Sequence, residues 1–234
     1  MLGKKMSKSA LVFAAHPDDE VLGCGGTMAK LASEGWQVNV VICAEGATSR
    51  SDIRDKDAYS SDLSALAKSA ESANKTLGTN SLYLHDFPDN RMDSLDLLDV
   101  VKFVETKIEK HQPSLVLTHH AGDVNIDHRV LHDAVIAACR PQPNHPVKTL
   151  LFFEVASSTE WRPASSAVPF TPNYYVDISN CLESKTTALE NYSSEMRAFP
   201  HPRSIEALKY LAKWRGATIG CDAAEAFMLG ISIV

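Results

Sequence analysis

Two short polar clusters stand at the ends of two apolar runs. The first, Ala15-His16-Pro17-Asp18-Asp19-Glu20, follows Leu11-Val12-Phe13-Ala14 and precedes a helical pattern. The second runs Thr118-His119-His120-Ala121-Gly122-Asp123-Val124-Asn125-Ile126-Asp127-His128-Arg129, again between an apolar strand pattern and a helical one. Imidazole and carboxylate together are ligands for a divalent ion such as zinc. A spare carboxylate beside the ion can act as a base toward water. The two clusters therefore point to metal-assisted hydrolysis. His16, Asp19 and His128 would form a two-histidine, one-carboxylate set with a position left open, the pattern of catalytic zinc.

Plainer readings stand beside these. Carboxylates are favoured at helix starts, so His16 and Asp19 could be a capping cluster. His128 could be an ordinary helix-start residue, and His132, one turn on, could be the ligand instead. His119 is expected to point away from His120, because strand neighbours alternate faces. His85, His111 and His145 read as solvated loop residues. Cys24 lies close enough after the first cluster to line the site.

The elements that must position these residues alternate between strand and helix. Strands are expected over Leu11–Ala15, Val38–Ala44, Ser81–Leu84, Ser114–Thr118, Lys148–Glu154 and Tyr174–Ile178. Helices are expected over Val21–Ser33, Ser61–Leu77, Leu95–Lys110, Asp127–Cys139, Leu182–Tyr192 and about Ile205–Trp214. Near-continuously apolar strands alternating with helices imply a parallel sheet covered on both faces. The expected fold is α/β: a Rossmann-like, doubly wound, mostly parallel sheet with helices on both faces and a C-terminal elaboration. In such a sheet all strand C-termini share one edge, where ligands bind, so the two clusters can converge there. Gly23-Cys24-Gly25-Gly26 does not fit the dinucleotide fingerprint, which argues against a nucleotide-binding role.

Composition narrows the partners. The 234 residues are 44% hydrophobic and carry a net charge of -6, against a nucleic-acid or anionic-membrane partner. No apolar run approaches the roughly 20 residues that span a bilayer. The basic start, Met1 to Met6, precedes an apolar run too short for a signal peptide, and Met6 could be the true start. Five cysteines, an odd number without C-x-x-C spacing, read as a reduced, cytoplasmic chain. A single domain over residues 1–234 is expected, with 1–8 as a disordered tail and a homo-oligomer possible.

The paired motifs, Ala15-His16-Pro17-Asp18-Asp19-Glu20 and Asp127-His128-Arg129, resemble those of the LmbE-like, or PIG-L-type, zinc-dependent de-N-acetylases over about residues 8–140. The resemblance implies one zinc ion (or another divalent ion) per chain on His16, Asp19 and His128. It implies Asp18 as the general base and Asp127 as support for a site imidazole or metal ligand. It also implies an N-acetylated amino sugar as substrate, of N-acetylglucosamine type, free or conjugated. An amidase of another acylated small molecule and a non-catalytic metal-binding domain of the same fold are the alternatives.

There is one departure from the family pattern. Many relatives carry a histidine three positions before the later ligand, where this chain has Asn125. Asparagine can donate a hydrogen bond to an oxyanion but cannot serve as an acid. The resemblance points to His201, in the stiff loop Pro200-His201-Pro202-Arg203, as the acid, with His120 and a reprotonated Asp18 as the other candidates. Relatives also carry a substrate-contacting arginine after the second strand, which suggests Arg50 or Arg54. His120 is a further candidate for substrate contact. Phe87-Pro88-Asp89-Asn90-Arg91 is expected as a turn at the pocket rim, and Glu154 and Trp161 are candidates to bound the substrate.

Overall fold

The chain is described by a computed structural model over residues 8–234, so most of the expected tail lies outside the described residues. Five parallel strands come first: β1 (Ser9–Ala14), β2 (Gln37–Ala44), β3 (Ser81–Phe87), β4 (Leu115–His119) and β5 (Thr149–Phe153). Two more follow, β6 (Tyr174–Asp177) and β7 (Ala224–Ser232). They form one sheet of order β3-β2-β1-β4-β5-β7-β6, in which β7 runs antiparallel to both its neighbours. The helices are α1 (Asp19–Ser33), α2 (Ser60–Leu77), α3 (Leu97–His111), α4 (Ile126–Ala138), α5 (Leu182–Glu190) and α6 (Ile205–Ala217).

The order explains where the chemistry falls. The chain builds outward from β1 through β2 to β3, then returns to place β4 on the other side of β1. Where the winding reverses, neighbouring loops part and open a crevice at the strand C-termini. Both polar clusters leave from these two adjacent strands, registered Ala10 to Leu115 and Val12 to Leu117. The expected strands and helices occur with ends shifted by a few residues. The exception is β7, for which no element was expected after Trp214.

Burial on both faces explains the apolar strands. Ala10, Val12 and Ala14 pack on one face with Met28 of α1, Leu189 of α5 and Leu208 of α6. Leu11, Phe13 and Ala15 pack on the other with Val104 of α3 and Leu131 and Val135 of α4. This is the two-residue period of a strand with both sides dry. His85 and His111 are not loop residues: His85 lies on β3, stacked on Phe103 at 4.2 Å, and His111 is the last residue of α3. Of these three, His145 lies in a loop.

The glycine run in α1 serves packing. A Cβ on Gly23 would meet Phe153 of β5 at 2.3 Å, and one on Gly26 would meet Ile178 at 2.6 Å. The helix is kinked at Cys24, whose φ is -148° and ψ 23°. A kink leaves carbonyls without donors before it and N–H groups without acceptors after it. Lys185 of α5 donates to Leu22 O at 2.8 Å, and Glu225 of β7 accepts from the N–H groups of Gly26 and Thr27 at 2.9 and 2.7 Å. The two side chains pair at 2.6 Å, both almost fully buried. Losing one partner would leave a buried charge and unmet backbone groups, a cost of about 3–5 kcal/mol. Lys185→Met is therefore expected to lower the melting temperature by about 6–20 °C in thermal unfolding followed by circular dichroism. An unchanged melting temperature would show that the pair does not hold the kink.

Among the described residues no helix is long and apolar enough to cross a membrane. All five cysteines are free thiols.

Candidate active site

The exit of β1 turns sharply into α1. Asp18 has φ 110°, a conformation costly for a residue with a side chain. Its N–H donates to Glu20 Oε2 at 3.1 Å. Glu20 Oε1 in turn accepts from Tyr192 Oη at 2.7 Å and Asn74 Nδ2 at 3.1 Å. Elements from three parts of the chain thus fix the turn that presents His16, Asp18 and Asp19. Burial pushes the Glu20 carboxyl up to about 7, with the Tyr192 bond opposing. Cys24 takes no part beyond the kink; its thiol donates to Glu20 O.

His16, Asp19 and His128 converge. Asp19 Oδ2 lies 3.2 Å from His16 Nδ1 and 3.0 Å from His128 Nε2. The far nitrogen of each ring faces another carboxylate: His16 Nε2 is 3.0 Å from Asp127 Oδ2 and 3.3 Å from Asp89 Oδ1, and His128 Nδ1 is 3.1 Å from Asp123 Oδ2. A neutral imidazole carries one N–H. With it turned to the outer carboxylate, the other nitrogen presents a lone pair to Asp19, a contact that a metal ion, or a proton on that nitrogen, relieves. The two His128 contacts lack hydrogen-bond angles, and Asp19 Oδ1 is buried with no partner. Ligands about 2.0–2.1 Å from a tetrahedral ion stand about 3.4 Å apart, close to the separations here. The residues fit a divalent ion, with Asp127, Asp89 and Asp123 orienting the imidazoles from outside.

His16, Asp89 and Asp127 form a second convergent group. Its carboxylates are already engaged. Asp127 accepts from the N–H groups of Asn90 and Met92, and Asp89 from that of Ser49. The first group, with its orphaned oxygen, is the better cation site.

The imidazoles and carboxylates of the cluster shift one another strongly. Burial alone would lower His16, but hydrogen bonds to Asp127, Asp19 and Asp89 raise it well above its ordinary value. Burial likewise opposes protonation of His128, yet Asp19 and Asp123 raise it to about 9. Burial would raise Asp19, but His128 and His16 hold it well below the usual carboxylate range. Protons on the imidazoles supply the positive charge that the carboxylates demand.

Asp18 stands apart from the ligand contacts. It is buried, and its Oδ2 accepts from Arg203 Nη1 at 3.0 Å. Burial raises its carboxyl well above the ordinary value, and Arg203 opposes that. Arg203 Nε also donates to Ser157 Oγ at 2.7 Å. The 199–204 loop, expected to deliver His201, thus delivers Arg203. His201 Nδ1 accepts from Arg203 N at 3.0 Å, and its ring meets half-exposed Trp161 edge-on at 5.8 Å. No described hydrogen bond joins His201 to the ligand cluster.

Other expected residues are engaged elsewhere. Asn125 caps α4: its Oδ1 accepts from Asp127 N at 2.8 Å, and its Nδ2 donates to Asn90 Oδ1 at 2.8 Å. Its amide is held in place, with one of its two N–H donors engaged. His120 Nε2 donates to Val168 O at 2.9 Å, tying down the 163–172 segment. Arg54 binds Glu45 through Nε at 2.7 Å and reaches Asp86 O through Nη2 at 2.7 Å, which closes its own loop. Arg50 is half-exposed and pairs with Glu195 at 2.9 Å; Glu195 also adds to the raising of Asp18. Glu154 pairs with Arg215 of α6. His132 Nδ1 donates to His119 O at 2.8 Å and lies outside the convergent groups.

Asp89, Asp123 and Arg203 were not singled out from the sequence. Asp123 is held by Thr159 Oγ1 at 2.8 Å and by Ser158 Oγ. The only signal was position: Asp89 and Asp123 follow strands on the same sheet edge. A cavity of about 370 Å³ is lined by Glu105, Gln112, Ala138 and Arg140. It lies at the opposite edge of the sheet, away from these groups.

Residues 11–139, more than half the chain, match the family described as PIG-L: GlcNAc-PI de-N-acetylase. The chain belongs to the PIG-L family. This PIG-L chain is 31% identical over 141 residues to the uncharacterized deacetylase YaiS of Escherichia coli K12, covering 58% of this chain and 70% of that one. It is 26% identical over 211 residues to the diacetylchitobiose deacetylase of Thermococcus kodakarensis, covering 80% and 70%. Its fold matches GalB, the 4-carboxy-2-hydroxymuconate hydratase of Pseudomonas putida KT2440, with TM-score 0.75 and 21% identity over 98% of each chain. A scaffold shared with a hydratase leaves the reaction to be argued from the site.

Proposed function

We propose that this chain is a zinc-dependent amide hydrolase that removes the acetyl group from an N-acetylated amino sugar of N-acetylglucosamine type, free or conjugated. The observation that carries the reading is the convergence of His16, Asp19 and His128 beside a separate, buried Asp18. A purely structural metal site needs no such spare carboxylate. The family description and the diacetylchitobiose named for the archaeal relative support the sugar class.

His16, Asp19 and His128 would hold the ion. When bound it supplies a Lewis acid for the amide carbonyl and lowers the pKa of water toward about 7. Asp18, steadied by Arg203, takes the proton from the attacking water. As the C–N bond breaks, the same Asp18 returns the proton to the leaving nitrogen. Water and amide thus become acetic acid and amine, with Asp18 restored. This route needs no imidazole at position 125. Arg50, half-exposed and paired with Glu195, would be the arginine that meets the sugar. The chain is read as one catalytic unit acting on a small molecule in the cytoplasm.

The test is acetate release from N-acetylglucosamine, diacetylchitobiose, and lipid- and nucleotide-linked N-acetylglucosamine, with the free amine assayed in parallel. Equal amounts of acetate and amine from at least one sugar are expected. Hydrolysis confined to other acylated small molecules would overturn the sugar assignment. Because Asp18 moves the proton, His201→Ala is expected to cost less than about tenfold in turnover, below the usual worth of a general acid. A loss of about 10²-fold or more with zinc retained would transfer the acid role to His201.

A further inference from the structure

We propose that His119 is a positioning residue that locks the two ligand-bearing segments of the metal site together. This inference rests on the metal reading above.

His119 is fully buried at the end of β4. Its Nε2 accepts the N–H of Ala15, the residue before His16, at 2.8 Å. Its ring stacks on His128 at 3.8 Å between centroids, with planes 25° apart. One side chain therefore touches the backbone leading into one histidine ligand and the ring of the other. His119 is itself fixed: its carbonyl accepts from His132 Nδ1, and Phe153 meets its ring edge-on at 4.8 Å.

The tautomer follows from the contacts. Nε2 accepts, so the proton of the neutral ring sits on Nδ1, which is buried without a partner. A buried unpaired donor is costly. An apolar ring would fill the same space without that donor, but it could not accept from Ala15. The acceptor is therefore what a histidine adds here. Groups that orient metal ligands from outside typically change affinity 10–100-fold when removed.

The experiment compares His119→Phe, which keeps a ring but has no acceptor, with His119→Gln, whose amide oxygen reaches about as far as Nε2. Zinc affinity is measured by competition with a chromophoric chelator. Ligand geometry is read from the visible absorption of the cobalt(II)-loaded protein. The Phe variant should bind zinc about 10–100-fold more weakly, with shifted cobalt bands, and the Gln variant should recover most of both. Wild-type affinity and bands in the Phe variant would overturn the inference. Equal weakening in both variants would also overturn it, since general packing would then be the cause. If the Phe variant does not fold, His119→Leu takes its place in the comparison. Failure of the unmutated protein to take up either metal would instead overturn the metal reading, and this role with it.

Discussion

His128→Ala is expected to release the metal ion from the purified protein and to abolish turnover, and the same is expected of His16→Ala and Asp19→Ala. The ion's three ligands meet at one shared carboxylate. Asp19 is the member both imidazoles share, at 3.2 and 3.0 Å. A tetrahedral zinc that keeps one position open has three protein ligands, and losing one leaves two. Metal content by elemental mass spectrometry checks this directly. The second convergent group, His16 with Asp89 and Asp127, makes the measurement discriminating. A His128→Ala protein with full metal content would move the ion to that group. Loss of metal on Asp19→Asn but not on Asp89→Asn would place it as described here.

Asp18→Asn is expected to keep the ion and lose about 10²–10⁴-fold in turnover, the usual worth of a general base. Asparagine has the same shape and is among the residues that tolerate a positive φ, so the strained turn should survive. What disappears is the ability to take and return a proton. The buried pairing with Arg203 shows that this carboxylate is held on its own account, away from the ligand contacts. Metal content and turnover must be measured on the same sample. If Asp18→Asn loses the ion while Asp19→Asn retains it, the two aspartates exchange roles.

The sequence by itself was enough for the alternation of strands and helices, because apolar strands with a two-sided core and helices with one apolar face leave strong periodic patterns. It was enough, too, to single out His16, Asp19 and His128, which the fold brings together, because they lie in polar clusters at the ends of buried strands whose order resembles a known family. It did not identify Asp89 or Arg203, each far in the chain from the residue it serves, or single out Asp123 within its own cluster. Asp89 reaches His16 only because β3 lies on the same sheet edge as β1. Arg203 reaches Asp18 across 185 positions, through a loop whose composition pointed to its histidine. The strand β7 was missed, and so was its insertion between β5 and β6, where Glu225 meets the kink in α1. Only the tertiary structure decided that β1 and β4 are neighbours. Strand pairing is set by which faces can be buried together and by the return of the chain across the sheet, and no local pattern records either. That adjacency makes two separate clusters one site.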